Sequence, residues 1–158
     1  MKPIYVAGAA ILLYDAAEAH QNNRWTLRHV EQCFCRRSTV ADVRALMDED
    51  GFVVSIHAGR APEGAAVIEV SMRLDSGSLM LSGGDPGGVE VWSGPPGWVR
   101  VHLGQTVVED GERPKLALHL QVEPDGEERP TRVYGDWGWS IPPGPYLETA
   151  EVLRLPEA

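Results

Sequence analysis

The segment from Lys115 to Glu123, KLALHLQVE, alternates without a break. Leu116, Leu118, Leu120 and Val122 fall on one side of an extended chain, and Lys115, Ala117, His119, Gln121 and Glu123 on the other. Period two belongs to a strand with one buried face; a helix would scatter these leucines around its circumference. GAAVIEVSMRLDSG repeats the pattern, with Ala66, Ile68, Val70, Met72 and Leu74 on one face and Glu69, Ser71 and Arg73 on the other. In WVRVHLG, Val99, Val101 and Leu103 oppose Trp98, Arg100 and His102. A chain with several such segments must bury one face of each against a second layer.

Turn signals separate the segments. DSG leads into SLMLSG, GDPGG into VEVW, and GPPG into WVRVHLG. The 17 Gly and 12 Pro are frequent in the second half, as many short elements joined by turns require. About nine short strands with one-sided patterning predict an all-β fold, a two-sheet antiparallel β-sandwich with one short helix, formed by residues 1–158 as a single domain. The first strand is expected over Ile4 to Tyr14. WTLRHVEQCF reads as the helix, capped by Thr26 or Asn23, with Leu27, Val30 and Phe34 on one face. Thr39 and Asp42 resemble a capping box. DEDG followed by alternating Phe52, Val54 and Ile56 favours a hairpin there instead. TRVYGDWGWSIPPGPYLETAEVLRL is expected to close the fold with two strands around a Pro/Gly turn.

The net charge is −9 and it is uneven. Residues 1–79 carry 10 acids and 8 bases (−2); residues 80–158 carry 13 acids and 6 bases (−7). That distribution argues against direct nucleic-acid binding, because phosphate contact needs the opposite sign. MKPIYVAGAAILLYDAAEAH reads as a strand rather than a secretory signal, and Asp15 interrupts it too early for a membrane span. Two cysteines make no disulfide framework, so a cytoplasmic protein with free thiols is expected.

No GxSxG, HExxH, P-loop or dinucleotide fingerprint is present, and no catalytic residue or cofactor is expected. GGDPGG has the glycines of a phosphate loop without the lysine or the helix that should follow. Cys33 and Cys35 are too close along the chain for an unstrained disulfide. His29 and Cys33 are spaced i, i+4, which a metal can bridge, and Arg36 and Arg37 are placed to activate a thiolate. The plainer reading is that both cysteines are small buried apolar residues. His57, His102 and His119 lie on the polar faces of predicted strands. They would form a metal or substrate site only if those strands were neighbours. The expectation is solvated histidines and no metal.

Four of the five tryptophans lie near proline-rich turns: Trp92 and Trp98 around SGPPG, Trp137 and Trp139 in GDWGWSIPPGPY. Such rings either close the open end of a sandwich core or form a contact surface. Glu127 and Glu128 belong to an acidic loop, PDGEERP, which attracts a basic partner. Trp137, Trp139, Tyr146, Glu127 and Glu128 are therefore the candidate binding residues. The rival reading of the same Trp/Pro loops is a small-ligand or carbohydrate-binding module.

The layout also resembles that of the competence protein J family, bacterial inhibitors of a DNA-entry nuclease. Trp25-Thr26 opens a short helical stretch before a hairpin, and Pro143-Gly144-Pro145-Tyr146 begins the last strands, as in that family. The Cys-Phe-Cys stretch and the PDGEERP loop depart from it. The resemblance implies a small cytoplasmic β-sandwich that acts by binding a protein partner, such as a basic nuclease, and not by catalysis.

Overall fold

The structure, a computed structural model, describes residues 4–6, 10–47, 52–83, 88–110 and 113–152. Its elements follow in chain order as β1 (Ile4–Val6), β2 (Ala10–Asp15), β3 (Asn23–Arg24), α1 (Leu27–Gln32), β4 (Phe34–Arg37), β5 (Val40–Arg44), β6 (Phe52–Ala58) and β7 (Ala66–Leu74). Then come β8 (Ser78–Ser82), β9 (Val89–Ser93), β10 (Gly97–Asp110), β11 (Arg113–Pro124), β12 (Arg132–Tyr134) and β13 (Glu151–Val152).

One sheet has the order β1-β6-β11-β10-β7-β12, the other β4-β5-β2-β8-β9, and β3 and β13 form a separate two-stranded ribbon. Adjacent strands are antiparallel except β6 and β11. The fold is all-β with one short helix, as the alternation predicts. Ile68, Val70, Leu103, Leu116 and Leu118 from the six-stranded sheet meet Ile11, Leu13, Val43, Leu79 and Leu81 from the five-stranded sheet, all fully buried in one core. Side chains of this size stabilise the fold by about 1.5–3 kcal/mol each on full burial.

Several boundaries differ from the sequence expectation. The single strand expected over Ile4 to Tyr14 is two strands, and these lie in opposite sheets. The expected hairpin across DEDG is not formed, since β5 pairs with β4 and β2 while β6 pairs with β1 and β11. The DEDG residues themselves lie outside the described residues. The closing strands β12 and β13 do not pair with each other; β12 extends the six-stranded sheet and β13 joins β3. In each case strands form in the expected segments, but the sequence pattern carries no information about which strand lies alongside.

The helix forms where expected, and its exposed face is not the expected one. The Thr26 hydroxyl accepts from the His29 N–H, and the Thr26 N–H donates to His29 Nδ1 at 3.0 Å, a capping box with histidine in the usual glutamate place. Cys33 ends the helix with φ 73°, and Phe34 starts β4. The helix thus stops before Phe34 can share its face. Leu27 is 75% and Val30 42% exposed, while His29 and Gln32 are buried. Gln32 docks the helix through polar bonds, from its amide to the Phe34 and Leu147 carbonyls and from the Leu147 N–H to its oxygen.

Gly135 ends β12. Its φ of +89° is left-handed, and a Cβ there would overlap the Ala65 carbonyl oxygen. Gly135→Ala is expected to lower stability by about 3 kcal/mol, from the backbone penalty and the displacement of Ala65 together. Urea unfolding of the variant checks this, and a loss below about 0.5 kcal/mol would show that the 64–66 backbone moves freely.

Candidate functional site

The segment that carries the candidate binding residues runs from the end of β11 to β13. It has little regular structure of its own, and its backbone is held by side chains from elsewhere. Trp137 is 2% exposed and packs in the core, with its indole N–H donating to the Tyr134 carbonyl at 3.0 Å. Trp139 sits 6.0 Å from it, donates to the Cys33 sulfur at 3.0 Å, and carries the Arg44 guanidinium over its ring at 4.6 Å. Tyr146 meets Phe34 edge-on at 5.6 Å, beyond the cis peptide bond between Gly144 and Pro145. These three rings therefore close one end of the core, and Trp139 and Tyr146 are half-buried there. All five tryptophans are buried or half-buried.

Arg36 pins the segment to the sandwich. Along β4, Phe34 and Arg36 share one side of the strand and Cys35 and Arg37 the other. Arg36 is 1% exposed. Its Nε donates to Glu148 at 2.8 Å, one terminal nitrogen to the Ser71 carbonyl at 2.9 Å and the other to Glu128 at 2.9 Å. Glu148 in turn accepts from the Thr131 N–H and hydroxyl at 2.7 and 2.8 Å. One planar guanidinium thus joins both sheets, the acidic loop and the C-terminal segment.

This fixes the two acidic candidates differently. Glu128 faces inward to Arg36, with its side chain 46% exposed. Glu127 is on the outside, paired at 3.2 Å with Arg129, and both side chains are more than half exposed. Arg129 also bonds Asp125 at 2.7 Å, and that bond holds the Asp125 carboxyl below its usual range. Two of the loop's negative charges are therefore partly neutralised by one arginine, while Glu128 compensates Arg36.

The three strand histidines are brought onto neighbouring strands. His57 on β6 and His119 on β11 are in register, with their rings stacked at 5.3 Å. His102 on β10 is one strand further along, and it is not solvated as expected. It is 7% exposed, and its Nδ1 lies 3.3 Å from Glu69, which is 9% exposed. Glu69 also accepts from Tyr134 at 3.3 Å and Arg132 at 3.2 Å and forms an ion pair with Arg100 at 3.8 Å. Burial pushes the Glu69 carboxyl up, but His102, Arg132 and Arg100 outweigh it and hold it below its ordinary value. Burial and the neighbouring His57 and His102 push the His119 imidazole down. Among the described residues no group of three or more His, Cys, Asp or Glu side chains is placed to hold a metal ion.

Both thiols are free and buried. Burial raises Cys33, offset in part by the Trp139 bond, and burial together with Asp42 pushes Cys35 up to about 12. Neither carries appreciable thiolate near neutral pH, so both act as apolar core residues. Asp42, in register with Cys35, is the less expected group. It is 7% exposed beneath the segment that leads to α1. Burial raises its carboxyl to about 7 despite hydrogen bonds from Asn23 and Trp25 and the nearby Arg37 charge.

Arg36, Glu148, Glu69 and Asp42 escape sequence reasoning for one reason. Each is a charged residue at a position that alternation assigns no special meaning, and its partners are far away in sequence. Arg36 and Glu148 are 112 residues apart. The one local signal is the strand parity that places Arg36 on the side of Phe34.

Among the described residues no helix is long and apolar enough to cross a membrane. No family model matches this sequence, and no curated protein does. The fold is similar to the crystal structure of ComJ, inhibitor of the DNA degrading activity of NucA, from Bacillus subtilis. The two superpose with a TM-score of 0.56 over 76% of this chain and 94% of that chain, at 8% sequence identity. The resemblance read from the Trp25-Thr26 and Pro143–Tyr146 patches is thus met by the fold.

Proposed function

We propose that this chain is a non-catalytic binding protein of the cytoplasm, a single domain that acts as an inhibitor or immunity-type partner of a nuclease. The observation that carries this reading is the fold it shares with a nuclease inhibitor over nearly the whole of that inhibitor's length. The surplus of acidic residues supports a basic partner, since complementary charge raises the encounter rate. A first contact face is the segment around Glu127 and Glu128, whose charge steers the encounter. Trp137, Trp139 and Tyr146 contribute by holding that segment in one conformation, which lowers the ordering cost of binding.

The test is a DNA-degradation assay with the purified chain against a panel of DNA-degrading nucleases, NucA among them. Stoichiometric inhibition of at least one is expected, and absence of both inhibition and binding across the panel would overturn the reading. With a bound nuclease in hand, Glu127→Lys is expected to slow association by roughly threefold to tenfold at low salt and to weaken its salt dependence. Stopped-flow association at two ionic strengths reads this. An unchanged rate would move the contact face away from the acidic loop. Glu127 suits this test because its side chain is exposed and does not support Arg36.

A further inference from the structure

The β10–β11 pairing runs to Asp110 opposite Arg113, whereas the β7–β10 pairing stops at Ala66 opposite Gln105. From Thr106 to Asp110, β10 therefore has a neighbour on one side only, and among the described residues no strand pairs with its other edge. An unpaired edge leaves main-chain N–H and C=O groups directed outward, ready to accept a further strand.

Three features mark this edge as a docking position. The chain before β7 turns away from β10 and leaves a cleft of about 340 Å³ between Glu63–Ala65 and Gln105–Val107, with Leu46 and Asp136 at its sides, and no described strand follows the path that β7 leaves. Val107 and Val108, on opposite faces of the strand, are 44% and 43% exposed. Among the described residues Glu63 and Asp136 line the cleft and no basic residue does; further along, Glu109 is exposed on the strand and Lys115 lies across from Val108 on β11.

We propose that an extended, basic segment of the protein partner adds to the edge of β10 alongside Thr106–Glu109, in the place that β7 vacates. Main-chain hydrogen bonds supply the pairing, alternate side chains pack on Val107 and Val108, and lysine or arginine meets Glu63, Glu109 and Asp136. A second copy of this chain fits less well. Antiparallel self-pairing about Val108 brings the Glu109 carboxylates of the two copies onto one short stretch, and like charges there oppose association. This deepens the inhibitor reading and rests on it, by naming the chemistry of the partner segment.

The experiment is amide hydrogen exchange on the full chain with a synthetic octapeptide of alternating lysine and valine, and with its glutamate–valine counterpart. The basic peptide is expected to slow exchange at Val107 and Glu109 by about tenfold or more, and the acidic peptide to leave it unchanged. The Asp125 N–H to Trp98 carbonyl bond shows that even-numbered β10 residues face β11, so Val107 and Glu109 direct their main-chain groups to the open edge. Glu109→Lys, an exposed substitution, should abolish the protection, and Val107→Pro should do so by removing an outward N–H. Equal protection by both peptides, or protection only elsewhere, would overturn the proposal. So would concentration-dependent protection of this edge without peptide, which would make the occupant a second copy. If a nuclease is inhibited equally by the parent and by Glu109→Lys, the edge assignment fails while the inhibitor reading stands. If no nuclease is bound at all, that reading fails on its own.

Discussion

Replacing Arg36 with alanine is expected to lower folding stability by about 3–5 kcal/mol, the range found when one partner of a buried ion pair is removed. The guanidinium is 1% exposed and satisfies three acceptors at once: Glu148, Glu128 and the Ser71 carbonyl. Their fates differ. Glu128 is 46% exposed and can be rehydrated at small cost. Glu148 keeps its two bonds from Thr131 but loses the Arg36 guanidinium in a site where it is 27% exposed. The Ser71 carbonyl loses a charged donor, and the deleted side chain leaves a void between the sheets. Arg36→Lys should fall between the parent and the alanine variant, because a single ammonium cannot serve three divergent acceptors. Urea unfolding measures the loss, and a double-mutant cycle with Glu148→Gln isolates the pair, with a coupling of about 1–3 kcal/mol expected. An Arg36→Ala variant within about 1 kcal/mol of the parent would show that the segment is held mainly by its rings. The same variant should also loosen residues 124–150, so proteolysis there is expected to precede global unfolding.

The second large effect concerns pH. Asp42 has its folded-state pKa raised to about 7 by burial, against an ordinary value near 3.8. A raised carboxyl pKa means that the folded protein holds a proton which the unfolded chain has released. The associated stability is therefore complete below about pH 4. It declines as pH climbs towards 7 and does not change further above that. Each pKa unit corresponds to about 1.4 kcal/mol, so roughly 3 kcal/mol should be lost between pH 5 and pH 8 from this group alone. His29 and His119 act in the opposite sense. Burial lowers both, so their contribution is present above pH 6.5 and is lost as the pH falls below it. The separating measurement is the difference between the parent and Asp42→Asn in urea unfolding at pH 5 and pH 8. The amide cannot ionise, and it can still accept from Asn23 and Trp25. Its stability relative to the parent should rise by about 3 kcal/mol from the lower pH to the higher. Parallel profiles for the two proteins would show that Asp42 is hydrated and ionised throughout.

Much of the sandwich is legible in the order of residues alone. Lys115–Glu123 and the run from Ala66 to Leu74 bury the residues that alternation selects, with Val122 half-buried at its end of the strand, because the side-chain period of a strand is set by local sterics that every residue carries. Thr26 caps α1 for an equally local reason. What the pattern misses is instructive. Glu69 and Ser71 lie on the face it marks as polar, yet both are buried: the Arg132 and Tyr134 side chains of neighbouring β12 reach Glu69, and the Arg129 N–H of the loop before β12 donates to the Ser71 hydroxyl. Leu27 and Val30 look like the inner stripe of a helix and are outside, because α1 is held by Gln32 and His29 instead. Trp137, which the sequence leaves open between a contact surface and the end of the core, lies in the core, and Trp139 and Tyr146 are half-buried beside it. The composition shows that aromatic rings are plentiful near the prolines, but not which way a segment without periodicity turns them.

The amino-acid order by itself determined that this chain makes strands with one apolar face, where most of them lie, and that its charge disfavours nucleic acid. Those properties depend on neighbours within a few residues. Only the tertiary structure decided that β1 and β2 belong to different sheets, that Arg36 rather than Arg37 is sealed inside, and that β10 outruns β7 to leave an open edge. Each of these depends on groups tens of residues apart meeting in space. A one-dimensional pattern assigns those meetings no energy until the chain has closed around them.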